Sequence, residues 1–220
     1  FDDADLDAAA KLSAAGKFRN AGQVCISPTR FFVQEGVHDK FLKLFKKEVE
    51  AVNVGDGLET GVTMGPLVAE RRVGVMDDFI ADAVAKGAEV SVGGGRIQNP
   101  GSFFQPTLLE NVPESAKIMT EEPFGPVAPT TTFKTLEEVI DRSNSLPFGL
   151  AAYAFTASPR TAQILKSEIE SGMLAVNSMH IHSVETPFGG LKASGYGHEG
   201  GIEGLEVFLA TKYSSETYNS

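Results

Sequence analysis

Apolar residues recur along this chain with two alternating periods, and each change of period marks a new element. Residues 4–20 read as a helix, with Asp2, Asp3 and Asp5 ahead of an Ala-rich stretch, where acids favour the positive end of a helix dipole. RFFVQ (30–34) is aromatic and β-branched, as strands prefer. Val37, Phe41, Leu44, Phe45, Val49 and Val52 then fall at helical spacing over 37–52, before a Gly/Asp turn at 55–57. A further helix spans 68–86 and stops at Gly87, the usual place for a terminating glycine. EVSV (89–92) reads as a short strand closed by Gly93–Gly95, taken as a connection within an αβ unit.

The second half continues the alternation. FFQPTLL (103–109) is extended, as Pro106 requires of the residue before it. A strand over 127–133 and a helix over 135–144 follow, then a strand over 150–156. The next helix (158–171) opens on Ser158 with Pro159 in its first turn, and MLAVN (173–177) is a strand. A Gly-rich loop covers 183–201, with a helix expected at about 202–210. Strands alternating with helices predict an α/β layered fold built on a mostly parallel sheet.

Composition narrows the function. The chain has 220 residues, 19 basic and 29 acidic side chains, and so a formal charge of −10. Such acidity argues against nonspecific binding to nucleic acid or anionic membranes. No apolar run reaches the roughly 18 residues of a membrane span. The acidic opening lacks the basic and apolar regions of a signal peptide. One cysteine, Cys25, excludes an internal disulfide, and no Cys/His cluster has zinc spacing, so no metal site is expected. A reducing, cytoplasmic setting is expected.

Cys25 lies between the first helix and the first strand, in KFRNAGQVCISPTR. The thiolate is the reactive form of cysteine, which free backbone N–H groups on a turn can favour, and the same amides can hold an oxyanion. By residue type alone a buried, inert cysteine is the commoner case. The surrounding strings decide between them. FRNAGQVC resembles the catalytic-cysteine signature of the NAD(P)-dependent aldehyde dehydrogenase superfamily, and EEPFGPV (121–127) resembles its second signature. Asn177-Ser178 followed by PFGGLKASGYG (187–197) is a third match, with GPLV (65–68) and FGLAAY (148–153) between. The resemblance covers essentially the whole chain and implies the three-layer α/β fold of that family's catalytic domain, over residues 1–204, with 205–220 as a helix end and oligomerisation tail.

The resemblance implies a chemistry in which Cys25 attacks an aldehyde carbon to give a thiohemiacetal and then a thioester that water hydrolyses. Glu122 matches the glutamate that binds the nicotinamide ribose, and its carboxylate suits a diol. Adjacent acids are more often a solvated surface pair, but the Pro-Phe-Gly-Pro that follows makes a rigid turn. Phe124 matches the aromatic near the nicotinamide, and Phe188 a wall of the substrate pocket, with plain core packing as its alternative. Arg19 lies six positions (25 − 19) before Cys25. In the succinate semialdehyde dehydrogenases of the family, an arginine there and a serine matching Ser183 hold the substrate carboxylate. A guanidinium and a hydroxyl suit that task; the alternative for Arg19 is a surface helix cation. Ser27 stands where some relatives carry a second, redox-switching cysteine, and His198 where arginine is commoner. His180 and His182 flank the pocket-side loop and suit a polar substrate.

In that family the cofactor domain, the general-base glutamate and an oxyanion-hole asparagine precede the cysteine. No dinucleotide fingerprint occurs here. The expectation is therefore a catalytic-domain fragment, inactive alone, of a homodimeric or homotetrameric enzyme using NAD or NADP. Its expected substrate is a small-molecule aldehyde, most simply succinate semialdehyde, with neither nucleic acid nor membrane as partner. A broader aliphatic or aryl aldehyde dehydrogenase and a non-catalytic scaffold are the alternatives.

Overall fold

The computed structural model describes residues 1–97 and 100–218. Helix α1 (Leu6–Phe18) starts where the Asp5 side chain accepts a hydrogen bond from the Ala8 N–H, satisfying one free donor of the first turn. Its buried face is made of small residues, Ala9, Ala10 and Ala14, so helix α2 (His38–Glu50) packs closely on it through Phe41, Phe45 and Val49. Between them runs strand β1 (Phe31–Gln34). Helix α3 (Glu70–Ala85) ends at Gly87, whose φ of +103° suits a residue without a side chain.

Strands β2 (Glu89–Val92), β3 (Thr107–Glu110) and β4 (Val127–Phe133) join β1 in one sheet of order β1-β4-β3-β2. β1 and β3 both run parallel to β4, with Phe31 opposite Thr130 and Thr107 opposite Val127; only edge strand β2 is antiparallel. Leu108, Leu109, Val127 and Ala128 are fully buried at its centre. After helix α4 (Leu136–Asn144) come β5 (Phe148–Gly149), β6 (Ala151–Ala154), helix α5 (Pro159–Glu168) and β7 (Met173–Val176). β6 and β7 form a separate parallel pair. The Thr156 hydroxyl after β6 bonds the Asp3 carboxylate at 2.8 Å, tying this pair to the start of the chain. β8 (Leu191–Lys192) pairs antiparallel with β5, and α6 (Glu203–Glu206) is one turn. The architecture is α/β, a mostly parallel sheet flanked by helices. Among the described residues no helix is long and apolar enough to cross a membrane.

Several expected boundaries move. The helix expected over 4–20 stops at Phe18, because the next residues turn left-handed. The one expected to reach 171 stops at Glu168, where Ile169 is extended. Gly93–Gly95 joins two antiparallel strands rather than an αβ unit. Of the extended 103–109 region only 107–109 lies in the sheet, in a strand that runs on to Glu110. The loop over 183–201 contains β8, and the helix expected at 202–210 shrinks to α6. It has no capping side chain and buries no residue, and a helix without a packed face is not sustained in water. Residues 207–218 form no regular element, and residues 219–220 of the expected tail lie outside the described residues.

Candidate active site

The loop that carries Cys25 is built from left-handed backbone. Asn20, Ala21 and Gly22 have φ of +51°, +54° and +69°. Outside glycine such geometry costs about 1–2 kcal/mol per residue, so the surroundings must hold it. Gln23 does much of that. Its N–H and side-chain amide both donate to the Asn20 carbonyl, and the Asn20 amide donates back to the Gln23 carbonyl at 3.0 Å. The same Gln23 side chain accepts from the Val68 N–H at 2.9 Å and donates to the Pro66 carbonyl, reaching the segment just ahead of α3.

Cys25 is exposed, and the two residues after it are buried and fastened. The Tyr153 hydroxyl donates to the Ile26 carbonyl at 2.8 Å from β6. The Ser27 hydroxyl donates to the Lys17 carbonyl at 3.3 Å. Burial pushes the Tyr153 phenol up to about 12, with Arg19 drawing it down and Cys25 adding to the rise. Lys17 is fully buried, and among the described residues its Nζ has no hydrogen-bond partner. Burial drives its pKa down to about 7 against the upward pull of Glu122.

The 121–126 turn meets this loop backbone to backbone. A Cβ placed on Gly22 would lie 2.2 Å from the Gly125 carbonyl oxygen, so neither side chain nor water fits between them. Gly125 in turn sits on α3: a Cβ there would lie 2.1 Å from the Met76 sulfur. Pro123 is buried and Phe124 is left-handed, with φ +42°. The Arg72 guanidinium of α3 donates to the carbonyls of both Pro123 and Phe124. Glu121 and Glu122 are left exposed. Glu122 and Cys25 line one cavity of about 570 Å³, together with Ser27, Tyr153 and Met179.

The other candidates are placed less directly. Arg19 is exposed at the end of α1. Arg19, Phe124, Ser183 and Phe188 do not line the cavity. The 177–183 loop nevertheless docks on α1, because Met179 covers Gly16, where a Cβ would be 2.3 Å from the methionine methyl. Ser183 is half-buried and its hydroxyl turns into its own loop, toward Thr186 Oγ1 at 3.5 Å and the Glu185 carboxylate, whose pKa it lowers. Phe188 exchanges two backbone hydrogen bonds with Glu199 and meets the His182 ring edge-on at 5.8 Å. His182 lies nearly parallel to His180, 6.2 Å away. Among the described residues no three His, Cys, Asp or Glu are grouped to hold a metal ion. Sequence reasoning missed Arg72, Tyr153 and Lys17.

An exposed thiol that shares a cavity with a glutamate, the one on a strained loop and the other on a rigid turn, suits nucleophilic chemistry on a carbonyl. Residues 1–214 match the aldehyde dehydrogenase family. The chain belongs to that family. It is 45% identical over 213 residues to the succinate-semialdehyde dehydrogenase [NADP(+)] GabD of Escherichia coli (strain K12), covering 97% of this chain and 44% of that protein. The glutarate-semialdehyde dehydrogenase of Pseudomonas aeruginosa gives the same identity and coverage. The crystal structure of an aldehyde dehydrogenase from Brucella melitensis biovar abortus 2308 superposes with a TM-score of 0.97 at 42% identity, covering 100% of this chain and 45% of that one. This member of the family thus spans less than half the length of the relatives it matches.

Proposed function

We propose that this chain supplies the nucleophile and substrate-recognition part of an NAD(P)-dependent aldehyde dehydrogenase acting on a short ω-carboxy aldehyde, succinate semialdehyde first. The observation that carries the reading is Cys25. It is exposed at the end of a left-handed loop, braced at Ile26 and Ser27, and opens on one cavity with Glu122.

The thiolate of Cys25 adds to the aldehyde carbon, and the carbonyl oxygen becomes an oxyanion facing the Cys25 backbone N–H. Loss of hydride from that carbon leaves a thioester on Cys25, and attack by water releases the acid and restores the thiol. The residues present fit a nicotinamide cofactor. Glu122 is an exposed carboxylate on a turn that Pro123 and Gly125 keep rigid, able to accept from a ribose diol, with Phe124 next to it. When bound, that cofactor accepts the hydride. Arg19 and Ser183 take the substrate carboxylate, and Phe188 walls the pocket. Ser183 must then release its contacts with Thr186 and Glu185. The base that activates water is assigned to the part of the enzyme beyond these 220 residues, so this chain alone forms no NADH. A homo-oligomeric, cytoplasmic enzyme is the corresponding whole.

The test is a substrate panel in the full-length enzyme that carries this chain. Arg19→Ala should raise KM for succinate and glutarate semialdehydes about 10–100-fold, the worth of a charge-assisted hydrogen bond, and leave hexanal unchanged. Equal losses on all three would remove Arg19 from carboxylate recognition. Turnover surviving in Cys25→Ser would remove Cys25 from the chemistry.

A further inference from the structure

We propose that Arg72 is a positioning residue that holds the Glu122 turn in its cofactor-binding shape. The proposal rests on the function proposed above and assigns a role to a residue outside all the family motifs in the sequence.

The 121–126 turn has an unusual conformation to maintain. Phe124 sits at φ +42°, a region disfavoured for residues with a side chain, and flanking Pro123 has no N–H to give. The carbonyls of Pro123 and Phe124 both point to Arg72, and among the described residues no other group donates to either. Both carbonyls accept from one terminal nitrogen of the guanidinium, Nη2, whose two N–H groups serve two acceptors at once. Among the described residues Arg72 forms no ion pair, although neighbouring Glu70 pairs with Arg96. Its charge is therefore directed at the two carbonyls.

The surroundings make this a brace for the turn. Arg72 and Met76 stand one helical turn apart on one face of α3, and Met76 packs under Gly125. So the helix holds the turn at three successive residues, by two hydrogen bonds and a sulfur contact. Glu122, immediately before them, keeps its carboxylate exposed. The segment entering the same helix, at Pro66 and Val68, holds Gln23 of the cysteine loop. One rigid stretch therefore carries both halves of the site, and Arg72 is its fastening on the cofactor side.

The experiment uses Arg72→Ala and Arg72→Lys in the full-length enzyme, with amide hydrogen exchange and steady-state kinetics. Lysine keeps the charge and much of the stem but replaces the planar NH2, which serves both carbonyls from one atom, with a tetrahedral ammonium on a differently shaped stem. In both variants exchange within 121–126 should rise about tenfold or more while β1 (31–34) stays protected, and alanine should show the larger effect. KM for the nicotinamide cofactor should rise about tenfold in Arg72→Ala, with KM for succinate semialdehyde within about twofold of the parent. Unchanged exchange at 121–126 overturns the proposal whatever the activity. So does an equal rise in both KM values, or a lower melting temperature with unchanged cofactor KM. If Glu122→Gln leaves cofactor KM unchanged while the exchange result holds, the ribose role of Glu122 fails and the brace stands.

Discussion

Lys17 lies on the same stripe of α1 as Ala10 and Ala14, seven and three residues on from them, and the stripe is buried. A cation on a run of alanines is a sequence signal that something there is unusual, but which groups enclose it depends on residues far away in the chain. Its pKa sets a pH dependence. The unfolded chain holds the proton up to about 10.5, whereas the folded chain loses it at about 7. Between those values the unfolded state binds the extra proton, so stability rises with pH; below about 7 both states are protonated and the burial cost is constant. Lys17→Met removes the titration with little change of volume. Relative to that variant the parent should gain about 1.4 kcal/mol per pH unit between pH 7.5 and 9.5, read from denaturant midpoints. Tyr153 adds almost no slope there, because its pKa, raised to about 12, keeps the hydroxyl a donor throughout that range. Tyr153→Phe should cost about 1 kcal/mol of unfolding free energy at both pH values, since the Ile26 carbonyl loses its partner.

Helices and strands were legible where one period runs over a whole element. α2, with Phe41, Phe45 and Val49 on one face, and α4, opened by the Thr135 cap, appear within a few residues of where the pattern puts them. The ends were less legible. α1 stops early because three left-handed residues follow, and that conformation is fixed by Gln23 reaching Pro66 and Val68, 43 and 45 positions away. The local string KFRNAGQVC supplies the glycine but not the partner. Candidate site residues were legible through motifs, so Cys25 and Glu122 were named and do share a cavity. Arg72 was not, although it continues the buried spacing of Met76 and Ile80. Its acceptors are 51 and 52 positions on, a separation that periodicity does not carry. Ser183 was placed by its motif alone, and the hydroxyl's engagement with Glu185 and Thr186 comes from the turn geometry.

On the whole molecule, apolar surface is unevenly placed. Val184, Ile202, Leu205, Val207, Phe208 and Leu209 are 63–85% exposed, five of them within 202–209, whereas the central strands β3 and β4 are largely buried. Exposed apolar residues so concentrated mark a face that something covers. The 220-residue chain in isolation should bind the dye ANS, and shortening it before Ile202 should reduce that fluorescence at least about twofold. Unchanged fluorescence would place the dye-binding surface elsewhere.

The contact of Gly22 with the Gly125 carbonyl has a consequence for how such an enzyme can change. Side chains adapt by switching rotamers, but two main chains in direct contact have no rotamers to switch. That junction therefore serves as a fixed origin for the site. Substitutions that reshape the cavity have to act around it, in the side chains that radiate from each loop, while main-chain contact holds the spacing between the Cys25 loop and the Glu122 turn.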